Sequence, residues 1–290
     1  MSFPSIPKSV VITGCSSGIG AAAAIALRER GWAVYPTARK PEDLETLRAQ
    51  GFTAIELDVS DSDSVKNAAQ EVLAINHGTL GAVINNAGFG QPGALEDINR
   101  EALRYQYEVN VFGLVEFTNQ FVPVFRKQNC GRIIHVSSVV GRISLPFLGA
   151  YSSTKFAVEA IADAQRIELR GTGIAVSLVE PGPIITEFRR NAVIKTEEQL
   201  DPDRSAYGDM YLQEVKRRRD RQKKPGFINK PPEAVATKFI HALESRSPKR
   251  RYCITPPAYF GAFMRRFAPY FLTDKILASR VDKKSRSCCE

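Results

Sequence analysis

Ser9-Val10-Val11-Ile12-Thr13-Gly14-Cys15-Ser16-Ser17-Gly18-Ile19-Gly20 is the stretch that decides the fold. Residues 9–13 read as a buried strand, a short apolar run closed by a glycine turn. Residues 19–30 are alanine-rich and helical, and Gly31 ends them. The glycines between let the backbone turn tightly and approach a pyrophosphate, whose charge rests on the N-terminus of the following helix. A glycine triplet by itself is a weak signal, since some such matches are only turns, and the strand–turn–helix context is what gives this one meaning. Its spacing, Gly-x-x-x-Gly-x-Gly, differs from the more usual Gly-x-Gly-x-x-Gly.

Outward from that loop the alternation continues. Residues 33–37, 53–57, 82–85, 132–137 and 174–179 read as strands, and 42–50, 61–76, 99–127 and 150–170 as helices. Strands this apolar, each followed by a helix, predict an α/β fold with a parallel sheet covered on both faces. The handedness of crossovers then selects the doubly wound sheet, the Rossmann fold. After Glu180 the pattern loosens. Residues 183–230 are polar, charged and without clear periodicity, too long for a connection, and predict a substrate lid insertion. A helix resumes over 233–244 behind Pro231-Pro232, 251–255 suit a last strand, and 258–280 are rich in aromatics. The expected organisation is one domain over 1–255, with the lid at about 183–230, and a C-terminal helical appendix over 256–290.

Composition narrows the class. In 290 residues, 43% are hydrophobic, enough for a sizeable core, yet no run reaches the ~18–20 apolar residues that span a membrane. The first eight residues lack an apolar signal region, and the five cysteines show no ligand spacing and an odd count. Both features lead to the expectation of a reduced, cytoplasmic protein. The net charge of +9 is uneven: residues 1–180 carry −2 and residues 181–290 carry +11. Any anionic partner belongs to the C-terminal third.

Further short motifs follow in order: Asp58-Val59, Asn85-Asn86-Ala87-Gly88, Asn110-Val111-Phe112-Gly113, Ser138, Tyr151-Ser152-Ser153-Thr154-Lys155 and Pro181-Gly182. Together with the glycine loop, these resemble the short-chain dehydrogenase/reductase family over about residues 6–255. Within it the chain is most similar to the branch of hydroxysteroid and retinol dehydrogenase-like enzymes.

The chemistry of these residues can be read directly. Tyr151 and Lys155 are four apart at a helix start, so both side chains share one face. A tyrosine with an ordinary pKa near ~10 is a poor acid–base catalyst at neutral pH. A neighbouring ammonium is expected to lower that value towards the working range. Ser138, at a strand's carboxyl end, suits a hydrogen bond to a substrate carbonyl. The resemblance implies the remaining roles. Tyr151 acts as general acid, Ser138 orients the carbonyl, Lys155 serves both ribose and Tyr151, and Asn110 holds a water in a proton relay. It further implies cofactor contacts from Gly14, Ser16, Ser17, Gly18, Ile19, Gly20, Arg39, Asp58, Val59, Asn86, Ala87, Gly88, Tyr151, Lys155, Pro181, Gly182 and Ile184. At the end of the second strand Ala38 stands where an NAD enzyme places an acid, and Arg39 beside it suits a 2′-phosphate. The cofactor expected is NADP(H).

Other features have plainer readings. His77, His135 and His241 lie apart, so core or surface placement is expected and no metal. Cys15 reads as a small filler. Cys288-Cys289 lack a lipidation pattern and read as a frayed tail. Lys216 to Lys224 hold seven basic residues in nine, read as a solvated lid face, with no nucleic-acid motif nearby. Phe260, Phe263, Met264, Phe267 and Phe271 fall at helical spacing and are expected to pack on the parent domain, with a lipid interface as the alternative.

The expected protein is an NADP(H)-dependent oxidoreductase that interconverts an alcohol and a carbonyl on a small hydrophobic substrate. Assembly as a homodimer or homotetramer is implied by resemblance only. The competing readings are a noncatalytic nucleotide-binding sensor on the same fold and a membrane-surface lipid or retinoid reductase. The substrate itself is not legible.

Overall fold

The computed structural model describes residues 2–220 and 226–286. Cys288, Cys289 and residues 221–224 of the basic run lie outside them. Seven strands form one parallel sheet in the order β3-β2-β1-β4-β5-β6-β7. These are β1 (Ser9–Ile12), β2 (Ala33–Ala38), β3 (Ile55–Glu56), β4 (Ala82–Asn85), β5 (Gly131–Val136), β6 (Ile174–Glu180) and β7 (Arg251–Cys253). The order reverses between β1 and β4, which pair Val10↔Ala82 and Ile12↔Ile84. A crevice opens at such a reversal, beyond the strands' carboxyl ends, and ligands of doubly wound sheets bind there.

Side chains alternate across the strands, so the apolar runs feed two cores. Val10 and Ile12 face one core, with Ala24 and Leu27 of α1 (Gly18–Glu29) and Phe239 of α9 (Glu233–Glu244). Val11 and Val83 face the other, with Val65 of α3 (Ser62–Ile75), Phe117, Phe121 and Phe125 of α5 (Gly113–Gln128) and Val158 of α6 (Gly149–Glu168). The remaining flanking helix of the N-terminal half, α2 (Pro41–Ala49), buries Leu44 and Leu47. Phe117 and Phe121 meet edge to face with centroids 5.1 Å apart.

Three expectations need correction. The single helix read over 99–127 is α4 (Arg100–Tyr107), a π-helical turn over Glu108–Phe112, and then α5. A single i→i+5 turn adds one residue and only shifts the phase of an apolar pattern that continues on both sides, and such turns are frequent at functional sites. The stretch read as aperiodic carries α7 (Phe188–Gln199) and α8 (Gly208–Asp220). Its two ends are clipped together: Ile185 N donates to Lys230 O at 3.0 Å and Lys230 N to Pro183 O at 3.1 Å. Within it Leu200, Met210 and Tyr211 pack on Ile98 and Phe147, and the Tyr211 hydroxyl donates to Asp97 Oδ2 at 2.5 Å.

The third correction concerns the appendix, which forms α10 (Pro256–Phe267) and α11 (Tyr270–Arg286). Ala258, Gly261 and Met264 are buried, but Phe260, Phe263, Phe267 and Phe271 are 54, 58, 69 and 74% exposed. The phenylalanines point away from the domain they were expected to cover. Among the described residues, no helix is long and apolar enough to cross a membrane.

Candidate active site

The loop after β1 is built around backbone crowding. Gly14 and Gly18 have φ of +70° and +61°, left-handed values that side chains disfavour. A Cβ at Gly20 would sit 2.2 Å from Gly14 O, and one at Gly14 would sit 2.9 Å from Ala87 Cα. Asn86 fastens the loop to β4: its Nδ2 donates to the carbonyls of Thr13 and Gly14, both at 2.9 Å. In return Thr13 Oγ1 accepts from the amides of Asn86 and Ala87 at 2.9 Å. The result is a cradle of closely approaching backbone at the start of α1, at the sheet's reversal, and a pyrophosphate fits such a cradle. Ser16 and Ser17 are exposed on it, Ile19 is half-buried, and Cys15 turns inward. Burial pushes the Cys15 thiol up to about 12, which suits the filler reading.

The other motifs converge on the same edge. Arg39 follows β2 beside buried Ala38, and its Nη1 donates to the Tyr105 hydroxyl at 2.9 Å and to Asp58 Oδ2 at 3.4 Å. Burial raises the Asp58 pKa, but hydrogen bonds from Ser60 and the Arg39 charge outweigh it, so the carboxyl stays below its ordinary value. Gly113 explains why Asp58-Val59 and Asn110–Gly113 occur together, because a Cβ there would lie 1.9 Å from Val59 O. Pro181 O accepts from Val139 N at 2.9 Å, and Gly182 leaves room for Thr255. Ile184 is buried in the core and pairs in register with Lys230. Thr186, which the sequence did not single out, comes closer: a Cβ at Gly18 would lie 3.0 Å from Thr186 Cγ2.

Asn110, Ser138, Tyr151 and Lys155 meet at the mouth of the cradle. Ser138 caps the short turn after β5, with Oγ accepting from Val140 N at 3.3 Å, and it lies near enough to the Tyr151 phenol to lower its pKa. Asn110 sits in the middle of the π-helical turn. Its Nδ2 donates to Phe89 O at 2.9 Å and Thr154 Oγ1 at 3.0 Å, while Oδ1 accepts from Phe89 N at 3.1 Å. Gly88 separates Asn110 Oδ1 from Lys155 Nζ: a Cβ there would lie 3.0 Å from the first and 3.7 Å from the second.

The electrostatics depart from the sequence reading. Lys155 Nζ donates to Val136 O at 2.8 Å and lies 5.8 Å from the centre of the Tyr151 ring. Burial pushes the Tyr151 phenol well above its ordinary range, opposed by the nearby Ser138 hydroxyl. The lowering expected from the lysine is therefore not what this arrangement gives. Lys155 itself is pushed down by burial to about 8, against the nearby Glu159 charge.

Beyond Thr186, two further features escaped sequence reading. Phe188, the first residue of α7, stands over Tyr151 with ring centroids 5.5 Å apart. It follows the last motif by six residues and has no reactive group to mark it. Behind Lys155, one turn along α6, the Glu159 carboxylate shares Arg251 with fully buried Glu180. Arg142 Nη2 reaches the same Glu180 at 3.1 Å, and Arg251 Nη2 reaches Asp163 at 2.6 Å. Among the described residues no cluster of His, Cys, Asp or Glu could hold a metal ion. His135 is buried between Asn85 and Gln165, and desolvation pushes it down to about 4.

The family model for short chain dehydrogenases matches residues 8–197. An uncharacterised oxidoreductase of Escherichia coli K12, YbbO, is 40% identical over 93% of this chain and 94% of its own. The NADPH-dependent 3-dehydrocapnine reductase of Ornithobacterium rhinotracheale is 36% identical over 93% and 94%. Of solved structures, a Burkholderia cenocepacia short chain dehydrogenase in complex with NADP is 26% identical, with a TM-score of 0.72 over 96% of this chain and 99% of that one. A Burkholderia phymatum short chain dehydrogenase/reductase in complex with NAD is 27% identical, with a TM-score of 0.73 over 92% and 93%.

Proposed function

The chain belongs to the short-chain dehydrogenase/reductase family of oxidoreductases, and from that premise we propose that it reduces a lipophilic aldehyde or ketone with NADPH. The observation that carries this reading is the grouping of buried Tyr151 with Lys155, whose Nζ lies 5.8 Å from the Tyr151 ring centre one turn along the same helix, beside Ser138 just after β5.

Gly14, Gly18 and Gly20 would hold the pyrophosphate against α1, and Lys155 the ribose of the nicotinamide. Bound there, NADPH supplies the hydride that the carbonyl carbon accepts. Tyr151 and Ser138 both hydrogen-bond the substrate oxygen, which polarises it and fixes its position. Tyr151 then gives its proton to that oxygen, completing the alcohol. A phenol pushed up by burial stays protonated near neutrality, which is the form reduction needs. The Asn110 amide, bonded to Phe89 and Thr154, fixes the wall behind Lys155, and its Oδ1 keeps a lone pair for a relay water.

Arg39 is the reason to choose the phosphorylated cofactor. It is half-exposed, its contact with Asp58 is long, and Ala38 beside it carries no acid to repel a 2′-phosphate. The NADPH dependence of the 3-dehydrocapnine reductase supports the same choice, while the NAD complex of the Burkholderia phymatum protein makes it a matter to measure. Residues 183–230 act as a lid that brings Phe188 over Tyr151, and this apolar roof favours a lipophilic substrate. The test is a panel of long and short aldehydes, ketosteroids and retinal with NADPH, followed by cofactor absorbance. Turnover with kcat/KM rising with apolar chain length is expected. Cofactor binding without turnover of any member would favour the sensor reading instead.

A further inference from the structure

Helix α10 has two faces that differ in kind. Ala258, Gly261 and Met264 recur at a spacing of three and are buried against the domain. Gly261 permits this contact: a Cβ there would lie 2.9 Å from Val139 Cγ2 and 3.3 Å from Ile143 Cγ2. The helix is thus seated on the turn that follows Ser138, beside the cleft. On its opposite face stand Tyr259, Phe260, Phe263 and Phe267, all more than half exposed, and α11 continues with exposed Tyr270, Phe271 and Leu272. Seven large apolar side chains among the fourteen residues 259–272 are exposed together, where soluble surfaces scatter such residues singly.

Charge says what covers them. Residues 256–286 carry seven Lys or Arg and two Asp. Arg265 turns back onto the protein, 5.7 Å from the Phe156 ring and donating to the Tyr270 hydroxyl at 3.0 Å. Arg266 and Lys275 are exposed beside the aromatic face. A second copy laid on this surface would bring two strongly basic segments together, which opposes pairing. An anionic lipid surface answers both properties at once. Aromatic rings settle at the boundary between headgroups and acyl chains, and flanking cations pair with the phosphates.

We propose that the outer face of α10 and the start of α11 form a docking surface for anionic lipid bilayers, on which the enzyme rests peripherally. The inference stands apart from the reaction proposed above, because binding is read without turnover.

The experiment is flotation of the full chain with phosphatidylcholine vesicles, with and without phosphatidylglycerol, at low and high salt. Wild type is expected to float with the anionic vesicles at low salt, at least about tenfold more than with the neutral ones or at high salt. The Tyr259→Ser/Phe260→Ser/Phe263→Ser/Phe267→Ser variant changes only exposed positions, and should keep its melting curve while losing at least about tenfold in flotation. Arg266→Glu/Lys275→Glu should lose the preference for anionic vesicles. Failure of wild type to float, or equal flotation of the serine variant, overturns the proposal. So does a wild-type dimer that the serine substitutions split into monomers while vesicles capture neither form, since the face would then join two copies.

Discussion

The ring of Phe188 lies over the ring of Tyr151, with centroids 5.5 Å apart and planes inclined at 51°. The contact ties the first turn of α7 to the proposed proton donor. Phe188→Ala should therefore leave the sheet intact but remove apolar surface where a lipophilic substrate would pack. A loss of ~1–2 kcal/mol, roughly 5- to 30-fold in kcat/KM, is expected for long-chain carbonyls and less for short ones. Equal losses across chain lengths would assign Phe188 to positioning Tyr151 rather than to the substrate.

Tyr151→Phe removes one hydroxyl from a site otherwise unchanged. Without its general acid, turnover should fall by about 10²–10⁴-fold while NADPH still binds. Stopped-flow binding and steady-state kcat, measured on the same preparation, separate the two effects. A near-normal kcat in the folded variant would remove Tyr151 from the mechanism.

Lys155 gives a pH signature in the cofactor-free protein. Its folded value of about 8 lies below the ordinary 10.5. Below about 8 the ammonium is charged in both states, and its burial weakens the fold. Between about 8 and 10.5 only the unfolded chain still binds the proton, so stability rises with pH. With each unit worth ~1.4 kcal/mol, the Tm of wild type should gain several degrees on that of Lys155→Met across this window. A constant difference from pH 7 to pH 10 would contradict the assignment.

The NADPH preference proposed for Arg39 and Ala38 can be tested by inversion. A charge-assisted hydrogen bond of ~1.5–3 kcal/mol corresponds to roughly 10- to 150-fold in favour of NADPH. Ala38→Asp/Arg39→Ala should erase or reverse that ratio, measured as kcat/KM for NADPH over NADH. Should wild type prefer NADH, Arg39 belongs to Asp58 and Tyr105 rather than to the cofactor.

Arg251 neutralises buried charge behind the site. Replacing it with Ala strands the carboxylates of Glu159 and Glu180, leaving Arg142 as the remaining partner. Breaking such a buried set costs about 3–5 kcal/mol, a Tm loss on the order of 10 °C. A loss of under about 2 °C would show that water reaches the cluster.

Much of this arrangement was legible in the chain because parallel strands are buried on both faces. Their runs of Val, Ile and Ala stand out, and the glycine loop follows the first of them. The π-helical turn around Asn110 was hidden, since an extra residue in a turn hardly disturbs the apolar rhythm on either side. The helices of residues 183–230 were hidden for another reason. They bury few side chains, and their anchors are distant in sequence, as Tyr211 is from Asp97. At Lys155 spacing gave the proximity to Tyr151 but not the direction of the ammonium, which β5 decides through Val136 O. In α10 periodicity identified a face, yet Met264 and Phe263 are neighbours in sequence and opposite in exposure.

The paired bonds joining Pro183 and Ile185 to Lys230 make the intervening chain a cassette. It leaves and re-enters the scaffold at one point, so its length is largely uncoupled from the strands on either side. Doubling a closed loop costs only ~0.6 kcal/mol in closure entropy. On the proposed lid reading, exchange of this one segment would shift substrate preference and leave the glycine cradle intact provided that Thr186, which meets Gly18, is kept. A transplant bounded at Ile185 and Lys230 that retains Thr186 is the cut that tests whether this segment carries the proposed specificity.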